Sequence, residues 1–148
     1  MTSDYNRTFI AIDYGSRRIG LAKSDPTGTI ASALTTLEVK SDKHALESLR
    51  TVIEEYGPNG IVIGYPLLKS GDKSEKCLEI DRFIEKLKAF YSGPIEKVDE
   101  QYSSQEAATI IHAHGKKTGQ DKKRIDRLAA VIILQRYLDE HPPKAQQG

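Results

Sequence analysis

The sequence predicts an α/β fold, a mixed sheet with helices on its faces, on three observations. Short apolar runs broken by turn-forming residues open the chain. From Asp42 apolar residues recur at spacings of three and four, the period of a helix. Gly60-Ile61-Val62-Ile63-Gly64 is an unbroken apolar run between glycines, the pattern of a strand covered on both faces.

The elements follow in order. Phe9 to Ile12 is a compact apolar run ending at Asp13, Tyr14-Gly15-Ser16 supplies turn chemistry, and Ile19 to Ala22 resumes the run, which reads as a hairpin. Asp25-Pro26-Thr27-Gly28 is a second turn, because proline presets one dihedral and glycine permits a positive φ, and Thr29 to Leu37 follows as a third strand. Ala45, Leu46, Leu49, Val52 and Ile53 mark an amphipathic helix with Asp42 as its N-cap and Gly57-Pro58 as its stop. After the central strand at Gly60, a loop from Tyr65 to Ser74 leads to a helix marked by Leu78, Ile80, Phe83, Ile84 and Leu87, ending near Ser92-Gly93-Pro94. Ile95 to Val98 is a brief strand. Ser103 and Glu106 have capping-box spacing and start a third helix reaching about His112. Gly115 to Arg124 reads as a mobile basic loop, and an apolar helix follows from Ile125 to Leu138.

With 148 residues the chain fits one domain, and residues 1–6 and 142–148 are expected to be disordered tails. Hydrophobic residues at 38% and charged residues at 29% exclude a disordered chain. A formal net charge of +1 means that nucleic-acid binding must come from local patches rather than an overall field. Cys77 is the only cysteine, which excludes an intramolecular disulfide or cysteine-built zinc site and makes it a helix packing residue. The N-terminus has no apolar leader, and no uncharged run approaches the roughly 18 residues that span a membrane, so a cytoplasmic protein is expected.

Three acidic places carry the chemistry. Asp13 continues the period-two face of Phe9 and Ala11, the side a helix would cover; it is either a turn former or a buried charge in need of a partner. Asp126 falls among Ala129, Ala130, Ile133 and Tyr137 on the apolar arc of the last helix. An ionised carboxylate there must be paired, bind a metal or meet the helix dipole. Asp99 and Glu100 follow the last short strand, and alternation lets only one of them share a face with Asp13. Converging carboxylates suit a hard divalent cation such as Mg2+, whereas His44, His112, His114 and His141 have no zinc-like grouping. For substrate, Gly15 permits close approach of a phosphate, and Arg17, Arg18, Lys116, Lys117, Lys122, Lys123 and Arg124 are candidate sequence-independent phosphate contacts. A solvated charge run is the plainer account of each.

Taken together these residues resemble the YqgF (RuvX) family of RNase H-like nucleases, described as Holliday junction resolvases or pre-16S rRNA processing nucleases. Three blocks carry the resemblance across nearly the whole chain. The first is Ile10-Ala-Ile-Asp13-Tyr-Gly15-Ser-Arg-Arg-Ile-Gly20-Leu-Ala22-Lys-Ser-Asp25-Pro26. The second is Ile61-Val-Ile-Gly64-Tyr-Pro66-Leu67 with Gly71. The third is Val98-Asp99-Glu100 with Glu106-Ala107 and Ile125-Asp126-Arg-Leu-Ala129-Ala130-Val-Ile-Ile-Leu134-Gln135.

The resemblance implies an RNase H-like, five-stranded mixed sheet, three antiparallel strands then two parallel ones, flanked by helices. It also implies a catalytic set of Asp13, Glu100 and Asp126 that holds Mg2+ or Mn2+, with Asp99 as the alternative to Glu100; similar folds place a glutamate at that strand end. Three departures stand out: Gln101 replaces the family's usual arginine, Ser103-Ser104 a threonine pair, and Leu68 an asparagine. The implied activity is metal-dependent cleavage of structured nucleic acid, at the 5′ end of pre-16S rRNA in ribosome biogenesis or at four-way DNA in recombination. A catalytically silent nucleic-acid-binding module is the competing class. Monomer or homodimer are both compatible, and paired sites favour the junction reading.

Overall fold

The computed structural model describes residues 7–99 and 119–143. Eight elements follow in order: β1 (Phe9–Asp13), β2 (Arg18–Ser24), β3 (Ala31–Glu38), α1 (Asp42–Tyr56), β4 (Gly60–Tyr65), α2 (Glu75–Leu87), β5 (Ile95–Asp99) and α3 (Gly119–Glu140). They build a five-stranded sheet in the order β3-β2-β1-β4-β5. β1 pairs antiparallel with β2, and β2 with β3, while β1–β4 and β4–β5 are parallel. The expected mixed sheet is therefore present, with β1 at its centre and the Gly60 strand, β4, expected to be central, in the interior position beside it.

Local chemistry sets the turns. Asp25 accepts the backbone amides of Thr27, Thr29 and Ile30, and Gly28 takes a φ of 71° that a side chain would strain. The N-cap of α1 is Ser41, not Asp42: the Ser41 hydroxyl accepts the His44 amide at 3.1 Å, leaving Asp42 as an acidic first-turn residue that favours the helix dipole. Gly57 closes α1 in the left-handed region, as its composition indicates. Ser74 caps α2 and also donates to the Pro66 carbonyl at 2.8 Å, tying both ends of the intervening loop together.

The sheet has two covered faces. On one, α1 and α2 bring Ala45, Leu49, Ile53, Ile80, Phe83 and Leu87 against Ile12, Leu21, Ile61 and Ile63, with Cys77 fully buried in the same layer. On the other, Ala130, Ile133, Leu134 and Leu138 of α3 pack on Ala11, Ala22 and Val62. Small sheet residues on that face let the helix sit close.

A further expectation changes. The basic segment before Ile125 is not wholly a loop, because α3 begins at Gly119 and includes Lys122, Lys123 and Arg124. Lysine and arginine are good helix formers and solvate readily on an outer face, so a charge run continues a helix as easily as it interrupts one. His141, immediately before the expected tail, stacks on Tyr137 at 4.1 Å, and its carbonyl accepts from Arg7 at 2.8 Å. The helix expected from Ser103, the loop residues 115–118 and the tails 1–6 and 144–148 lie outside the described residues.

Candidate active site

Strand alternation puts Phe9, Ala11 and Asp13 on the face that α3 covers, since Ala11 and Phe9 pack in the α3 layer. Asp13, the last residue of β1, is only 7% exposed and pairs across the ladder with Gly20 of β2. A Cβ on Gly20 would run into the carbonyl of Asp126. The helix backbone thus rests on the strand beside Asp13, and Asp126 arrives there because Gly20 leaves it room.

Asp13 and Asp126 line one pocket of about 470 Å3 with Tyr14, Gly15, Ser16, Arg18, Glu75, Lys76 and Glu79. It opens at the carboxyl end of β1, where ligands of open α/β sheets bind. The half-buried Asp126 carboxylate accepts from the Arg18 Nε at 2.5 Å. The charge on the apolar helix arc is therefore paired, as a buried carboxylate requires. Gly15 has no room for a side chain, because a Cβ there would lie 2.5 Å from the Arg18 carbonyl oxygen.

Tyr14 forms the boundary of the pocket. Its ring lies 4.7 Å from that of Phe83, and its phenol is pushed above the usual range by burial and by the charges of Asp42 and Glu79, with Arg82 opposing. Tyr14 therefore stays protonated at neutral pH.

The remaining candidates divide. Asp99 is exposed and stands beside Tyr65, whereas its neighbour Val98 packs in the α3 layer. Asp99 is therefore on the sheet face opposite Asp13, outside the pocket. Glu100, Lys116 and Lys117 lie outside the described residues. Arg17 is exposed in the β1–β2 turn, Lys122 and Arg124 are exposed on α3, and Lys123 pairs with Glu38 at 3.3 Å.

Among the described residues no three His, Cys, Asp or Glu side chains cluster tightly enough to hold a metal ion. The donor chemistry nevertheless suits one. Asp13 and Asp126 are hard oxygen donors in a polar pocket, and Mg2+ takes one or two carboxylates, completing its shell with water and phosphate. Glu75 and Glu79, one turn apart on α2, add two acidic groups that the sequence reading missed. Their spacing after the Ser74 cap looks like an ordinary solvated helix start, and only the packing of α2 on the sheet turns them toward the pocket.

The comparisons with known proteins agree with this architecture. The RuvX profile, described as Holliday junction resolvase, matches residues 7–140. A protein of Dictyoglomus turgidum, provisionally named a pre-16S rRNA nuclease, is 39% identical over 88% of this chain and 92% of its own. One of Chlorobaculum tepidum with the same provisional name is 37% identical over 95% and 99%. Among solved structures, Thermus thermophilus RuvC in complex with a Holliday junction substrate superposes with a TM-score of 0.60 at 13% identity, covering 93% of this chain and 98% of that one. The fowlpox virus resolvase bound to junction DNA gives 0.57 at 13% identity, covering 90% and 97%. These two likenesses establish the RNase H-like fold. With the profile spanning the sheet and the packed faces, and with relatives matching along nearly their whole length, the chain belongs to the RuvX family.

Proposed function

We propose that this chain is a divalent-metal-dependent endonuclease that hydrolyses phosphodiester bonds in structured nucleic acid, and that its cytoplasmic task is processing the 5′ end of pre-16S rRNA. One observation carries the reading: Asp13 and Asp126, far apart in sequence, share a polar pocket at the carboxyl end of the central strand. Carboxylates gathered in one polar pocket lose part of their hydration, an arrangement that suits binding of a cation.

Asp13 and Asp126 are the residues that would hold Mg2+ or Mn2+, with Glu100 as the third carboxylate on the family resemblance, a reading that Asp99's turn to the other face of the sheet supports. When bound, such ions supply Lewis-acid activation of water and neutralise charge on the phosphoryl group. The chain's own residues do the rest. Gly15 lets the substrate backbone approach closely, the pocket walls of Tyr14 and Ser16 orient the strand, and the exposed Arg17 and Lys122, outside the pocket lining, supply sequence-independent phosphate contacts. Full-length relatives provisionally named pre-16S rRNA nucleases support RNA as substrate. A second reading, resolution of four-way DNA junctions by a homodimer, is favoured by the family description and by the fold shared with RuvC.

Parallel cleavage assays test both. Purified chain with Mg2+ or Mn2+ is expected to cut pre-16S rRNA, and Asp13→Asn to lose that cut by about 100-fold or more, the scale of a group acting on transition-state charge. Cleavage confined to a four-way junction would move the reading to the resolvase. If neither substrate is cut and Asp13→Asn behaves as wild type, while nucleic acid still binds, the chain is a silent binding module and the proposal fails.

A further inference from the structure

Arg18 stands out because it occupies the carboxylate that the proposed chemistry needs. It begins β2, and alternation through Gly20 and Ala22 places it on the α3 face, the same face as Asp13. Its Nε lies 2.5 Å from Asp126 Oδ2, with the arginine side chain 31% and the aspartate 18% exposed. Its backbone is fixed by pairing with Glu38 and by the tight Gly15 turn, so the side chain swings from a fixed root. Around that root stand Asp13, Glu75, Glu79, Lys76 and Asp126, all lining one pocket.

From this geometry we infer that Arg18 is an exchangeable counter-cation: it neutralises Asp126 in the unloaded protein, competes with a divalent cation for that carboxylate, and on release turns to the substrate's phosphate within the same pocket. The inference rests on the metal-site reading above and adds to it the order of partners for one residue. A divalent cation drawn to Asp126 and the guanidinium at its Oδ2 repel each other and draw on the same carboxylate charge, so each weakens the other's hold on it. An unpaired carboxylate beside the nearly buried Asp13 would destabilise the unloaded site, which gives the guanidinium its first role. A guanidinium is a planar donor fork that matches phosphate as well as carboxylate, which gives it the second. Glu75 and Glu79 line the same pocket and leave acidic groups toward which a released guanidinium can turn before a phosphate enters.

The sign of one measurement separates this from a structural role. If Arg18 merely positions Asp126, removing it loosens the carboxylate and weakens metal binding. If Arg18 competes, removing it tightens metal binding. Mn2+ is titrated calorimetrically into the full chain without nucleic acid, for wild type, Arg18→Ala and Arg18→Gln; the glutamine keeps the apolar stem should alanine disturb folding. Both variants are expected to bind Mn2+ about two- to fivefold more tightly, the upper range for loss of one partly exposed ion pair. They are expected to bind a short phosphodiester oligonucleotide in Mn2+ more weakly than wild type by a similar factor. Unchanged or weakened Mn2+ binding in the folded variants overturns the inference. Asp13→Asn serves as the separate control. If it leaves Mn2+ binding intact, the metal-site reading itself fails. If it abolishes binding while Arg18→Gln tightens nothing, only the exchange role of Arg18 fails.

Discussion

Gly20 lies directly beneath the Asp126 backbone, so closely that a Cβ on the strand would meet the helix carbonyl. Because Gly20 also pairs with Asp13, this one contact sets how near the two carboxylates come. Gly20→Ala is expected to push α3 off the sheet, destabilising the fold by about 1–3 kcal/mol as overpacking does. Urea unfolding checks the loss. Mn2+ titration of the folded fraction should show weaker binding, because the carboxylates move apart together with the backbones.

A second polar centre sits on the opposite face, at Asp81 of α2. Its carboxylate accepts from the Tyr65 hydroxyl at 2.9 Å and pairs with Lys73 at 2.9 Å and Lys97 at 3.0 Å. Burial alone raises its pKa, but the hydrogen bonds from Lys73, Lys97 and Tyr65 and the charge of Lys97 outweigh it and bring it down to about 2. A folded pKa below the unfolded value means that the stabilisation is present above pH ~4 and disappears as pH falls through about 2. Asp81→Asn is therefore expected to lower stability at neutral pH by about 1 kcal/mol, discounted for partial exposure. The gap from wild type should close on acidification between those two pH values, as thermal melts across pH would record.

The fold was legible in the sequence because each element carries its own period: the glycine-bounded run of β4, the three-four spacing of α1, the turn residues at Asp25 and Gly57. Asp13 and Asp126 were legible for a related reason, since charges on apolar faces demand an account. What stayed hidden depends on tertiary packing. Glu75 and Glu79 look like solvated residues near an ordinary helix start until α2 docks. The pairing of Arg18 with Asp126 joins two elements at opposite ends of the chain, and no local pattern encodes it. The face of Asp99 could be read only from register: Val98 packs on α3, so Asp99 must point the other way, while Glu100 lies outside the described residues. The start of α3 was misplaced because lysine-rich turns serve equally in loops and on helix surfaces.

Arg17 and Arg18 are neighbours with different tasks. Arg17 is exposed in the turn, whereas Arg18 is held at Asp126. Arg17→Ala is expected to leave Mn2+ binding unchanged and to weaken nucleic-acid binding uniformly across sequences. The slope of log K against log salt should fall by about 0.7 to 0.9, one phosphate contact. Filter binding over a salt series measures it; an unaltered slope would remove Arg17 from the interface.

The last prediction concerns the end of the edge strand. Among the described residues β5 is paired only to β4, and its terminal residue Asp99 offers its carbonyl to Arg136 of α3 at 3.3 Å. That contact crosses from the helix bearing Asp126 to the residue preceding Glu100. A single exposed hydrogen bond contributes about 0.5–1.5 kcal/mol, so Arg136→Ala should change global unfolding little. Local opening should change more, because an edge strand has one ladder to lose. Amide hydrogen exchange at Val98 and Asp99 is expected to accelerate several-fold in Arg136→Ala while the amides of β1 and β4 keep their protection. If Glu100 completes the carboxylate set, the same variant should also need more Mn2+ for half-saturation, and Arg136→Lys should restore part of it by donating to the same carbonyl. Faster exchange at Val98 and Asp99 without a change in Mn2+ binding would detach the end of β5 from the site.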